Sequence, residues 1–255
     1  MAKKFIMLLS ICIFISTAIF AQESLHEQQT KPTHIYLLIG QSNMAGRAPI
    51  AEADSAVLAR CFLLNDQDQW EPAQNPLNRY STIRKDLGMQ KLNPGYGFAK
   101  AMLEADSSRT IGLVVNAKGG TKIEQWQKGT EFYQEAVRRT NKARETGELK
   151  GILWHQGEAN RNNPDGYLEK LQTLIADLRR DLGTPNLPFV AGQVHDVPAI
   201  NQQIAQLPKV VRAGNFASSA GLKTYDRWHF DRQSMLLLGT RYAEAMLELE
   251  KNRLK

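Results

Sequence analysis

The feature that most constrains the fold is the run His34-Ile35-Tyr36-Leu37-Leu38-Ile39, which stops abruptly at Gly40-Gln41-Ser42-Asn43-Met44-Ala45-Gly46-Arg47. An apolar run of this length with no polar alternation is what a strand buried on both faces of a parallel sheet requires. The glycine and polar residues after it predict a tight turn into a helix. Such a turn holds Ser42 at the carboxyl edge of the sheet, where open α/β folds bind their ligands. Taken alone, the segment is better served by Ser42 or Asn43 acting as a helix cap.

Downstream, the pattern repeats. Strand-like runs at 59–65, 110–116, 151–154 and 188–194 alternate with helical spacing at 95–105, 131–144, 164–182, 199–207 and 232–249. This alternation predicts an α/β fold, a three-layer α/β/α sandwich with a central parallel sheet. The passage 66–94 has no periodicity of its own and contains Trp70, Pro72, Pro76 and Tyr80. Loops that long inside a compact domain are usually functional, so it is a candidate wall of a binding site, with a plain surface excursion as the alternative.

The amino terminus is different. Lys3 and Lys4 precede an uncharged run from Phe5 to Phe20, then Ala21 and a polar stretch, the layout of a secretory signal peptide. The run is shorter than the roughly 20 apolar residues a spanning helix needs. The reading is therefore a leader at 1–21, a polar lead-in at 22–33 and a single domain at 34–250, secreted or periplasmic, with no stable membrane association after cleavage. Losing the leader removes two lysines and no acid, which lowers the formal net charge from +6 to +4. No Lys/Arg cluster reads as a nucleic-acid footprint. Only Cys61 of the two cysteines remains, so no internal disulfide forms and the domain rests on its core.

Four predicted strand ends carry small or polar groups: Gly40-Gln41-Ser42-Asn43, Gly119-Gly120-Thr121, His155-Gln156-Gly157-Glu158 and the segment Asp226 to His229. Converging at one sheet edge, they supply what acyl transfer needs, namely a hydroxyl nucleophile, an imidazole base, a carboxylate to orient it and oxyanion donors. Asp226 and His229 are three apart and share a face in a helical turn. His155 is the competing base. The glycine pair either permits a tight turn or lets backbone N–H groups approach a substrate, and Gln156 is either a structural amide or an oxyanion donor. His155 with Glu158, or His195 with Asp196, falls short of the three or four ligands of a familiar zinc site, so neither a metal nor another cofactor is expected.

These strings, together with Trp126, Trp154 and Gly239-x-Arg241, resemble the SGNH hydrolase superfamily, and within it the sialate O-acetylesterase and carbohydrate esterase family 6 (acetylxylan esterase) group. The resemblance covers about 34–247. It implies Ser42 as nucleophile, His229 as base and Asp226 as its orienter, with an oxyanion hole made by the Ser42 N–H, the Gly120 N–H and the Gln156 side chain. Glu158 is the alternative acid or a brace of the site. The implied function is an exported serine esterase that removes O-acetyl groups from acetylxylan or a related acetylated glycan. A sialate O-acetylesterase and a catalytically idle glycan-binding module are the alternatives. Trp70, Trp126 and Trp228 offer flat surfaces for sugar rings, whereas Trp154, inside a strand, belongs to the core.

Overall fold

The computed structural model describes residues 31–84 and 88–253. The predicted leader and most of the lead-in lie outside the described residues. In chain order the elements are β1 (His34–Gly40), α1 (Ser42–Ala45), β2 (Cys61–Leu64), β3 (Trp70–Pro72), α2 (Pro94–Ala105), β4 (Ile111–Ala117), α3 (Glu131–Ala143), β5 (Glu148–His155), α4 (Tyr167–Asp181), β6 (Phe189–Gly192), α5 (Pro198–Ile204), α6 (Leu207–Val210), β7 (Gly214–Ala217) and α7 (Arg232–Arg253). The seven strands form one sheet in the order β3-β2-β4-β1-β5-β6-β7. Every pairing is parallel except β2 with β3.

The unbroken apolar composition of β1 follows from its central place. Successive side chains leave a strand on opposite faces, and here both faces are covered. Tyr36 and Leu38 join Leu113, Val115 and Leu153 in the core shared with Phe98 and Met102 of α2 and with Leu238, Tyr242 and Met246 of α7. Ile35, Leu37 and Ile39 join Val114, Ile152 and Trp154 under Phe132 of α3, Leu174 and Leu178 of α4 and Ile200 of α5. Two cores with the sheet between them give the expected three layers. Burying each large apolar side chain contributes about 1.5–3 kcal/mol. Leu37, fully inaccessible, would cost roughly 2–5 kcal/mol if cut to alanine.

The structure adds two strands that the sequence reading leaves out. Strand β3 is three residues long, and it ends in Pro72, which an edge tolerates because no further strand needs its missing N–H. Strand β7 reads Gly-Asn-Phe-Ala, has no apolar run, and is defined by its pairing with β6. The helix predicted after Ser42 is a single turn.

The passage 66–94 is fastened to the end of β4. Asn78 exchanges hydrogen bonds with the Ala117 backbone in both directions at 3.0 Å, and the Ser81 hydroxyl donates to Asn116 Oδ1 at 3.1 Å. From below, the buried Arg139 of α3 donates to the carbonyls of Leu64 and Asn65 at 2.7 and 3.1 Å and to that of Tyr80. Desolvation lowers this guanidinium to about 10, still charged at neutral pH. One buried guanidinium thus ties β2 and the long loop to α3 through backbone carbonyls.

Candidate active site

Register fixes the level of the site. Gly40 at the end of β1 pairs with Ala117 on one side and with His155 on the other, so three neighbouring strands finish together. The next residues of each, Gln41-Ser42, Lys118-Gly119-Gly120 and Gln156-Gly157-Glu158, leave the sheet at one edge. The Gln41 N–H donates to the His155 carbonyl at 2.8 Å and the Lys118 N–H to that of Gly40 at 3.0 Å, which stitches the three exits together. Ser42 opens the single turn α1, so its own N–H lies in a first turn that has no helical acceptor. Neither that N–H nor the Ser42 hydroxyl is hydrogen-bonded among the described residues.

Ser42 lies on a cleft of about 1150 Å³ whose other walls include Gly119, Gly120, Asn160, Trp228 and His229. Arg84 and Met89 of the long loop line it too, so that passage does form a wall. Gly119 allows the close approach. A Cβ there would sit 2.8 Å from Arg47 Nη2 and 3.6 Å from the Ser42 Cβ. Gly120 has φ of +74°, a backbone state that side chains resist, and neither glycine N–H has a partner among the described residues. Thr121 holds this turn, donating to the Lys118 carbonyl and accepting from Trp126 Nε1, both at 3.0 Å.

Across the cleft, the turn before α7 places His229. Its Nδ1 lies 2.7 Å from Asp226 Oδ2, and Asp226 Oδ1 accepts from the backbone N–H groups of Trp228 and His229 at 2.8 and 2.7 Å. The carboxylate thereby assigns the ring proton to Nδ1 and leaves Nε2 as the basic nitrogen. Partial burial raises the Asp226 carboxyl, but the hydrogen bonds from His229 and the backbone outweigh it and hold the group below the usual carboxylate range. No hydrogen bond joins His229 Nε2 to Ser42 Oγ in this state. Contacts of that kind commonly tighten only when substrate is bound.

Asn43 links the two halves. Its Oδ1 accepts from the Phe230 N–H at 3.2 Å, and its Nδ2 donates to the Trp228 carbonyl at 3.1 Å and to Glu158 Oε1 at 2.9 Å. It therefore grips the chain on both sides of His229 and makes no capping bond to α1. Sequence reasoning weighed Asn43 only as a cap, because its partners lie more than a hundred residues away. Glu158 is bonded to Asn43 and not to His229; Asp226 is the carboxylate on the imidazole. Burial pushes the Glu158 carboxyl up to about 7. His155, the competing base, is fully buried outside the cleft, its Nδ1 3.1 Å from the Tyr242 hydroxyl, and desolvation lowers it to about 3.

Gln156 does not face the cleft. It is fully inaccessible, and its Nε2 lies within hydrogen-bond distance of Gln41 Oε1 at 3.2 Å, the Thr121 carbonyl at 3.0 Å and Asn160 Oδ1 at 2.7 Å. Two hydrogens are already shared among three acceptors, so this state leaves none for an oxyanion. Of the tryptophans, Trp126 is core, Trp70 bonds Thr146 on the edge strand, and Trp228 lines the cleft with the guanidinium groups of Arg161 and Arg227 within 5 Å of its ring. Trp154 is buried as expected. Among the described residues no three His, Cys, Asp or Glu side chains converge as metal ligands would.

Residues 32–248 match the family model described as "Carbohydrate esterase, sialic acid-specific acetylesterase". The chain belongs to that family. A probable carbohydrate esterase of Arabidopsis thaliana is 31% identical over 241 residues, covering 85% of this chain and 91% of the plant protein. The solved structure of that plant protein superimposes with a TM-score of 0.76 over 85% of this chain and 98% of its own. A carbohydrate acetylesterase from Xanthomonas citri, 20% identical, shares the fold with a TM-score of 0.63, covering 86% of this chain and 57% of its own. This member of the carbohydrate esterase family has the α/β/α fold, with a mostly parallel central sheet, that its motifs suggested.

Proposed function

We propose that the chain is a serine esterase that removes O-acetyl groups from a carbohydrate. The observation that carries this reading is the cleft shared by Ser42 and His229, with Asp226 bonded to the far side of the imidazole at 2.7 Å. In the first step Ser42 Oγ attacks the acetyl carbonyl while its proton passes to His229 Nε2, and the carbonyl oxygen becomes an oxyanion beside the unpartnered N–H groups of Ser42 and Gly120. Collapse of that intermediate breaks the bond to the sugar oxygen, which leaves with the proton held by His229. Water then attacks the acetyl-enzyme, giving a proton to the same nitrogen, and acetate departs as the proton returns to Ser42.

Asp226 holds the imidazole in the tautomer this cycle needs and stabilises the cation formed in each half. The size of the cleft supports a substrate larger than a simple acetate ester, because ligand pockets of about 300–1,000 Å³ already enclose drug-sized molecules. Acetylxylan or a related acetylated glycan is the favoured substrate. The family's description supports an O-acetylated sialic acid as the second reading. Lys3, Lys4 and the uncharged run after them support export to a compartment where such glycans are met.

The test is acetate release from acetylated xylan and from O-acetylated sialic acid, side by side, with Ser42→Ala as control. Release from one substrate, lost in the variant, supports the mechanism and names the substrate. No release from any ester, activated acetates included, favours a glycan-binding module.

A further inference from the structure

Gln41, the residue before the nucleophile, has a side chain that no step above uses. It is 3% exposed and yet lines the cleft. Its Oε1 accepts three hydrogen bonds, from Gln156 Nε2 at 3.2 Å and from the backbone N–H groups of Gly157 and Ala159 at 3.3 Å each. Three donors converging on one atom decide which way round the amide lies, since the flipped form would set an NH₂ against them. The Gln41 Nε2 is therefore held on the other side, and it has no partner among the described residues. That nitrogen is not one of the enclosed side-chain atoms that lack a partner, so it stays accessible from the cleft that Gln41 lines. An amide donor fixed in orientation and open to the cleft that Ser42 also lines is placed to meet an acceptor that arrives with the substrate.

We propose that Gln41 Nε2 is the side-chain donor to the oxyanion formed when Ser42 attacks an ester, the place that the family resemblance gives to Gln156. The inference rests on the esterase reading above. Gln156 then has a different task. Its two hydrogens go to Gln41, Thr121 and Asn160, so it fixes the Gln41 amide and ties it to the turn that carries Gly119 and Gly120. The hole consists of three donors set in advance: the Ser42 N–H, the Gly120 N–H and the Gln41 NH₂. None of the three has a protein partner among the described residues, so none has to break a contact within the protein as charge develops.

Gln41→Glu separates the two ends of the side chain. It keeps an oxygen for the three donors and the same volume, and it replaces the NH₂ by a carboxylate oxygen that repels an oxyanion. With 4-nitrophenyl acetate at pH 8, kcat should fall by about 10²–10³-fold, the usual loss for one oxyanion donor, with KM within about threefold and the thermal midpoint held. Gln156→Met, which frees the Gln41 amide without removing it, should cost less. A Gln41→Glu enzyme within fivefold of wild type overturns the proposal, as does a larger loss in Gln156→Met, which would return the role to Gln156. Should Gln41→Glu not fold, Gln41→Met takes its place in the same comparison. Wild-type turnover that disappears in Ser42→Ala keeps the esterase reading whatever Gln41 does, whereas a wild type inactive on this ester overturns both.

Discussion

Asp226 and His229 are three residues apart, and so are His155 and Glu158, yet the two pairs behave in opposite ways. The first sits on the turn before α7 at the mouth of the cleft, joined at 2.7 Å, with backbone N–H groups completing the carboxylate's shell. The second is buried, with Glu158 at the cleft wall and His155 behind it; His155 Nε2 and Glu158 Oε1 are 3.9 Å apart, and that nitrogen has no hydrogen-bond partner among the described residues. In the open pair, hydrogen bonding to the charged form wins and Asp226 stays ionised. In the buried pair desolvation wins, taking His155 down to about 3 and Glu158 up to about 7, so both favour their neutral forms. Equal spacing therefore supplies a hydrogen-bonded pair open to the cleft in one place and a buried, unjoined pair in the other. What separates them is access to water and the supply of donors.

The sharpest way to break this comparison is to remove each histidine. His229→Ala should cost at least about 10⁴-fold in kcat, as should Ser42→Ala, because loss of either member of such a unit disables the whole. His155→Leu should leave kcat within about tenfold and act on stability instead, since it gives up the 3.1 Å contact with Tyr242. Comparable losses in kcat would place His155 in the chemistry.

Removing the carboxylates one at a time gives the next largest effect. Asp226→Asn keeps the volume but no longer selects the tautomer, and kcat should drop by about 10²–10⁴-fold. Glu158→Gln still offers an oxygen to Asn43 and should stay within about threefold. A larger loss in Glu158→Gln would reverse the roles assigned to the two acids.

Asn43→Ala tests the link between the halves. It releases the chain on both sides of His229 and strips Glu158 of its bonded partner, so about 2–3 kcal/mol of stability should be lost. A fall in kcat of roughly tenfold should accompany it, as the imbalance of a loosened imidazole costs orientation. Urea unfolding and steady-state kinetics on one preparation read both, and an unchanged stability would remove the clamp.

The effect with the least bearing on turnover is on the pH dependence of stability. Glu158 has a folded-state value of about 7 against an ordinary 4.5, so between those limits the native protein binds more protons than the unfolded chain. This contribution is full below pH 4.5 and is lost as pH rises through 7. Glu158→Gln removes that slope. Relative to wild type the variant should gain up to about 3 kcal/mol at pH 8 and almost nothing at pH 4.5. Parallel stability curves from pH 4.5 to 8 would show that Glu158 is not held in its neutral form.

Much of the fold is legible in the residues because the central strands are buried on both faces. Their unbroken apolar runs, such as 34–39 and 111–115, announce themselves without any partner. Strands β3 and β7 are not legible, for they are short edges whose strand character comes from pairing alone. The site divides in the same way. Asp226 and His229 meet through a local turn, so their spacing is enough to suggest the contact. Asn43 reaches Glu158, Trp228 and Phe230 over separations of 115 to 187 residues, and no local pattern records that.

By itself, then, the sequence determined the alternating strand and helix order, the serine at the end of the first strand and the Asp-x-x-His turn, because each depends on neighbours a few residues away. The tertiary structure alone decided which carboxylate bonds the imidazole, that Asn43 clamps the histidine turn and that Gln156 is turned away from the cleft while the Gln41 NH₂ is left without a partner among the described residues. Those outcomes depend on burial and on competition among donors and acceptors brought together from distant segments. The balance is struck only once the sheet has aligned Gly40, Ala117 and His155 at one edge.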